Sequence, residues 1–249
     1  MGMQKQQDWF KGWFNSDYYH LLYRNRDHKE AADFVANLVD YLPIAKGSEV
    51  LDLACGKGRH SIELWEHGLR VTGVDLSPAS IEFAQQSAKE GLAFRVLDMR
   101  EAAGDNQFDA VFNLFTSFGY FDQFEENRTT LEAVHTALKP EGQLIIDYLN
   151  IAPAIARRIP EEAQLIESVY YHIKRWDDGQ KIYKEIEVQD GELTGRVREQ
   201  VSMLQLSDFE KLADGLFDLK AVFGNYHLED YDPAGSPRLI LHFEKKLVG

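Results

Sequence analysis

The sequence predicts an α/β fold: a doubly wound, mostly parallel sheet of seven strands carrying an antiparallel β-meander as an insertion. Three observations predict it. Between residues 49 and 150 short apolar runs alternate with amphipathic stretches of helical period. From 164 to 204 that period is lost and the turn signals Asp177-Asp-Gly179 and Asp190-Gly191 appear. Two further alternating runs near the C-terminus supply the last two strands.

Taken in order, residues 5–42 read as two helices. Trp9, Phe10, Trp13, Phe14, Tyr18, Tyr19, Leu22 and Tyr23 form an aromatic face. Ala31, Phe34, Val35, Leu38, Val39 and Leu42 then recur at helical spacing up to Pro43. Strands are expected at Glu49–Ala54, Arg70–Asp75, Ala93–Leu97, Ala110–Phe115 and Gln143–Leu149. Helices fall near 59–67, 78–90 and 126–138, with a short one near 100–104. The runs over 164–204 alternate with period two and read as a three-stranded meander. Ser207, three residues before Glu210, has the spacing of a capping box. Phe217–Tyr226 and Arg238–Lys246 close the main sheet. The expected organisation is an N-terminal helical segment (1–43), a main α/β domain (44–150 and 205–249) and an antiparallel β insertion (151–204).

The chain has 249 residues, 44% of them hydrophobic, enough for a sizeable core. Its 41 acidic and 27 basic residues give a formal net charge of −14. That field opposes binding to nucleic acid or to anionic membranes. One cysteine, Cys55, precludes an internal disulfide and suits a reducing compartment, so a cytoplasmic location is expected. The N-terminus lacks the pattern of a secretory signal, and no apolar run is long enough to span a bilayer.

The densest chemistry follows the first expected strand. Gly56-Lys57-Gly58 sits between that strand and a helix, where glycine permits a tight turn and close approach of a ligand to backbone amides. Asp75 ends the second strand, where a carboxylate can accept from ribose hydroxyls. Asp98 ends the third, where it can accept from an adenine amino group. Helix capping is the bland alternative for both aspartates. Ser61 stands where a dinucleotide site would have its third glycine, which counts against a nicotinamide cofactor.

These residues resemble the class I S-adenosylmethionine-dependent methyltransferases. The matching segments are Asp52-Leu-Ala-Cys-Gly56-Lys-Gly58, Val74-Asp75-Leu-Ser77, Asp98-Met99, the strand Phe108–Phe115 and the lead-in Leu138-Lys-Pro-Glu-Gly142. The resemblance implies S-adenosylmethionine as cofactor. By it, Ala54, Gly56 and Gly58 line the methionine end, and Asp75 holds the ribose. Leu76 and Met99 flank the adenine that Asp98 reads, with Asn113 and Phe115 also at the cofactor. Asp52 orients the glycine loop. Methyl transfer from a sulfonium asks mainly for alignment and exclusion of water, so few obligatory catalytic residues are expected.

The loop Ser117-Phe-Gly-Tyr120 resembles that of small-molecule enzymes, the amino-sugar N-methyltransferases among them, and implies a small acceptor with nitrogen preferred over oxygen. Tyr120 and His60 are the candidate catalytic groups; Phe115, Phe118 and Phe121 are either core or acceptor wall. Tyr18–Arg26 resembles a lid helix of the same group, with Tyr23 and Arg26 toward the cofactor carboxylate; a solvated helix face is the alternative. Trp9, Phe10, Trp13 and Phe14 read as packing, and Cys55 as a small buried filler. The eight histidines lack metal-ligand spacing, so no metal is expected. Asp147 and Asn150 resemble ligands of metal-dependent O-methyltransferases whose other ligands have no match here. Rival readings are a non-methylating S-adenosylmethionine-binding enzyme, a nicotinamide-dependent oxidoreductase, or a binding-only regulator.

Overall fold

Short, nearly continuous apolar runs, bounded by glycine and charged turns, pair in parallel to form the centre of the molecule. In this computed structural model, residues 12–13, 16–23 and 28–247 are described. β1 (Glu49–Leu53) lies between β2 (Arg70–Asp75) and β4 (Phe108–Asn113), and β3 (Leu92–Val96) pairs with β2. β5 (Leu138–Leu149) pairs parallel to β4. Two antiparallel strands, β11 (Arg238–Lys245) and then β10 (Phe217–Phe223), complete one edge. The seven-stranded order is β10-β11-β5-β4-β1-β2-β3. Chain order reverses beside β1, which opens a crevice at the carboxyl ends of β1 and β4.

The pleat divides the core. Leu51, Val111, Leu144 and Ile146 face one cluster; Val50, Ala110, Phe112 and Ile145 face the other. The second cluster is covered by α2 (His28–Tyr41), through Phe34, Val35 and Leu38, by α3 (Arg59–Glu66) and by α4 (Pro78–Gln85). The first is covered by α5 (Phe124–Ala137) and α7 (Leu206–Ala213).

The insertion differs from expectation. After α6 (Ile151–Ala156), four antiparallel strands form a second sheet: β6 (Glu161–Ile166), β7 (Val169–Asp177), β8 (Lys181–Asp190) and β9 (Leu193–Ser202). The unexpected strand, β6, is an edge strand. Its two-residue hairpin places Glu167 at φ 55, where sequence reasoning looks for Gly or Asn. α1 (Asp17–Leu22), capped by Ser16, packs with Trp13 on the β7–β8 face around Tyr171, Ile173 and Ile186. Trp13 is thus a packing residue, while Trp9, Phe10 and Phe14 lie outside the described residues.

Smaller corrections follow from local bonding. Residues 100–104 form a turn and bends instead of a helix, with the Arg100 amide and guanidinium folded back on Asp98. Gln205 rather than Ser207 caps α7, since Asp208 reaches back to the Gln205 amide at 3.0 Å. β4 ends at Asn113, two residues before the expected end, where the backbone turns left-handed at Phe115. Among the described residues no helix is long and apolar enough to cross a membrane.

Candidate functional site

The turn after β1 is built from left-handed residues: Ala54 at φ 63, Gly56 at 57 and Gly58 at 82. Cys55 N donates to Val74 O at 2.9 Å, tying the turn to β2. Gly56 N then donates to Asp75 Oδ2 at 2.8 Å, and Ser77 N to Asp75 Oδ1 at 2.8 Å. One carboxylate therefore joins the glycine loop to the start of α4. Burial pushes Asp75 toward its protonated form, opposed by those two amides.

Behind the loop, Ser61 donates to the buried Asp52 at 2.5 Å. The position that a dinucleotide site would give to glycine thus serves an internal hydrogen bond. Burial drives the Asp52 carboxyl up to about 7, with Ser61 opposing and Asp75 assisting. Relative to its ordinary 3.8, the folded chain holds a proton that the unfolded chain releases. This contribution to stability is present below pH 4 and is lost as pH rises through about 7. Asp52→Asn removes the titration. Its melting temperature should gain on wild type by about 2–6 °C between pH 5 and pH 8. A constant gap in parallel melts would show Asp52 ionised throughout. Cys55, buried against Asp52 and Asp75, is held well toward the thiol by burial first and those charges second.

A cavity of about 510 Å³ opens at the carboxyl ends of β1 to β4. Of the predicted residues, Tyr23, Ala54, Gly56, His60, Asp75, Leu76, Asp98, Met99, Phe115 and Tyr120 line it. Gly58 and Asn113 do not. Gly58 starts α3 and packs beneath Phe94; Asn113 is buried and donates to Leu53 O at 3.0 Å. Arg26 lies outside the described residues. Phe118 packs on Phe209 in the core, whereas Phe115 and Phe121 form cavity wall.

Two predicted contacts have protein partners. Asp98 binds Arg100 (2.5 Å), which also pairs with Glu126 (2.6 Å) and covers the Phe121 ring. The Tyr23 hydroxyl donates to Glu199 of β9 at 2.9 Å, and Lys184 bonds the same hydroxyl. Trp13 Nε1 meets Glu199 at 2.6 Å, so the segment ahead of α2 is fastened to the second sheet. His60 is buried beside Arg59, 3.5 Å from its guanidinium.

Sequence reasoning missed Lys57, Arg59 and Phe83. Lys57 lies over Phe83 at 4.6 Å and Arg59 over Phe115 at 5.2 Å, putting cations beside aromatic walls. Arg59 adjoins the glycine loop, and that adjacency was the available signal. Among the described residues no group of His, Cys, Asp or Glu gathers as a metal site.

Comparison with known proteins gives a consistent result. A family described as a methyltransferase domain matches residues 44–191. YqeM of Bacillus subtilis (strain 168), provisionally named as a methyltransferase, is 46% identical over 101 residues, 39% of this chain and 41% of that protein. An enzyme of Streptomyces fradiae named dTDP-3-amino-3,6-dideoxy-alpha-D-glucopyranose N,N-dimethyltransferase is 27% identical over 135 residues, 53% and 52% of the two chains. The chain thus spans about two fifths to a half of the length of these curated relatives. A solved S-adenosylmethionine-dependent methyltransferase of Clostridium acetobutylicum ATCC 824 superposes with a TM-score of 0.75 at 19% identity, over 91% of this chain and 95% of that one.

Proposed function

Since this chain belongs to the methyltransferase-domain family, we propose that it transfers a methyl group from S-adenosylmethionine to a small-molecule acceptor, with nitrogen preferred over oxygen. One observation carries the reading. Groups ending three adjacent parallel strands, the 54–56 turn, Asp75 and Asp98, line a single cavity. The cavity suits an adenosine ligand: a Cβ added at Gly56 would meet nothing within 4 Å, so the backbone lies open to close approach.

Asp75 would hold the ribose hydroxyls while keeping the loop closed through Gly56 N. Leu76 and Met99 would flank the adenine, and Asp98 would accept from its amino group. When bound, the sulfonium supplies an electrophilic methyl and departs as a neutral thioether. The protein's own work is then alignment and exclusion of water by Phe115, Phe121, Tyr19 and Tyr23. An amine acceptor that arrives protonated must lose a proton before attack. His60 and Tyr120, on the cavity wall, are proposed to receive or relay it. The Streptomyces fradiae relative, named for methylation of an amino sugar, supports nitrogen.

Calorimetric titration with S-adenosylhomocysteine beside NADH tests the cofactor. Heat with the first and none with the second is expected; the reverse would favour an oxidoreductase. Release of S-adenosylhomocysteine in the presence of small amines, compared with phenols and carboxylates, then tests the acceptor class.

A further inference from the structure

Just beyond β4 the chain takes a conformation that its residues do not favour. Phe115 and Thr116 lie at φ 61 and 58, in the left-handed region. Neither is glycine, and a β-branched residue is especially disfavoured there. Glycine occurs three positions later, at Gly119, so the loop has not been relaxed by composition where it turns.

The strained pair is held from one side by one carboxylate and its partners. Phe115 N donates to Asp147 Oδ2 at 2.8 Å, and Thr116 N donates to the Asp147 carbonyl at 2.9 Å. Arg238 spans the pair: its Nε donates to Asp147 Oδ1 at 2.7 Å and its terminal nitrogen to Thr116 Oγ1 at 2.8 Å. The Tyr226 hydroxyl donates to Asp147 Oδ2 at 3.3 Å, and its ring lies beneath the guanidinium. Tyr226 is itself stacked on Phe34 of α2, 4.3 Å between centroids. Asp147 is wholly buried. Burial opposes the Arg238 charge, but Asp147 and Tyr226 outweigh it and keep the guanidinium firmly protonated. On the other side, Phe115 and Thr116 line the cavity.

A buried ion pair is a poor stabiliser, because desolvation cancels most of its attraction. Its value here lies in the backbone that it fixes. We propose that Asp147 and Arg238, seated on Tyr226, are positioning residues that hold Phe115 and Thr116 in the left-handed conformation and so set the cavity wall against which the acceptor is aligned. The proposal rests on the methyl-transfer reading for its kinetic consequence, but not for its structural one.

Two measurements separate these. Hydrogen exchange at the amides of Phe115 and Thr116 needs no ligand. Exchange at both should be slow in wild type and at least about tenfold faster in Arg238→Lys, which keeps the charge but loses the fork. Asp147→Asn should do the same, and Arg238→Lys decides the matter should that variant not fold. In turnover, both variants should lower kcat/KM for the acceptor on the order of a hundredfold, while affinity for S-adenosylhomocysteine changes less than about threefold. Glycine adopts the left-handed backbone without help. In a Thr116→Gly background, therefore, the same substitutions should cost about tenfold less. Unchanged exchange in folded Arg238→Lys would overturn the clamp, as would an undiminished loss in the Thr116→Gly background. Fast exchange in the variants with no S-adenosylhomocysteine binding by wild type would keep the clamp and overturn the methyl-transfer reading.

Discussion

Asp75→Ala is expected to weaken binding of S-adenosylhomocysteine by about 1–3 kcal/mol, roughly five- to 150-fold, through loss of a charged acceptor at the ribose. The loop geometry places the effect toward the upper end. The substitution also strips partners from Gly56 N and Ser77 N, so the turn and the start of α4 lose their shared anchor. Asp75→Asn separates the two contributions: its amide oxygen can still accept one of the two backbone bonds, so an intermediate loss is expected. Calorimetric titration of both variants, with their melting temperatures beside it, checks the expectation. Unchanged affinity in a folded Asp75→Ala protein would mean that the end of β2 carries no ligand.

Gly58→Ala should be among the most damaging single-methyl substitutions in this chain, costing about 2–4 kcal/mol of stability. Two penalties coincide there. The backbone is at φ 82, and the new Cβ would lie 2.7 Å from the Phe94 ring. Gly73 of β2 approaches the same ring, a Cβ there coming to 2.6 Å, so Phe94 fills space left by two glycines at once. Part of the loss is therefore steric and relievable: Gly58→Ala with Phe94→Leu should lose less than the sum of the single changes, whereas the φ penalty stays. Gly56→Ala is the contrast. It is left-handed at φ 57 but meets nothing within 4 Å, so its cost should be nearer 1 kcal/mol. Thermal melts of the four variants would show the ordering; equal losses at Gly56 and Gly58 would remove the packing role assigned to Phe94.

Where the sequence spoke clearly, it did so through period and punctuation. β1 and β2 were legible because their apolar runs end at residues with one physical purpose, the Gly56–Gly58 turn and Asp75. β6 was not, because an edge strand of Glu161-Glu-Ala-Gln-Leu-Ile166 carries little apolar signal and its hairpin uses Glu167 where glycine is the usual cue. The aromatic residues of the loop 115–121 show the same limit. Nothing local separates Phe118, buried against Phe209, from Phe115 and Phe121 on the cavity wall. Asp147 is the sharpest case. Its carboxylate gains meaning only when β4, β5 and β11 become neighbours and bring Phe115, Arg238 and Tyr226 to it.

The sequence by itself determined the fold class, the family and the strand ends that build a ligand crevice, because those depend on local period, turn chemistry and the spacing of glycine and aspartate. Tertiary structure alone decided which side chains face the cavity and which hold its walls. Asp98 meets Arg100, which also meets Glu126, Tyr23 meets Glu199 and Lys184, and Asp147 restrains a strained loop from the neighbouring strand. Nearly all of those pairings join residues far apart in the chain, and a buried charge takes its role from the partners that burial leaves within reach.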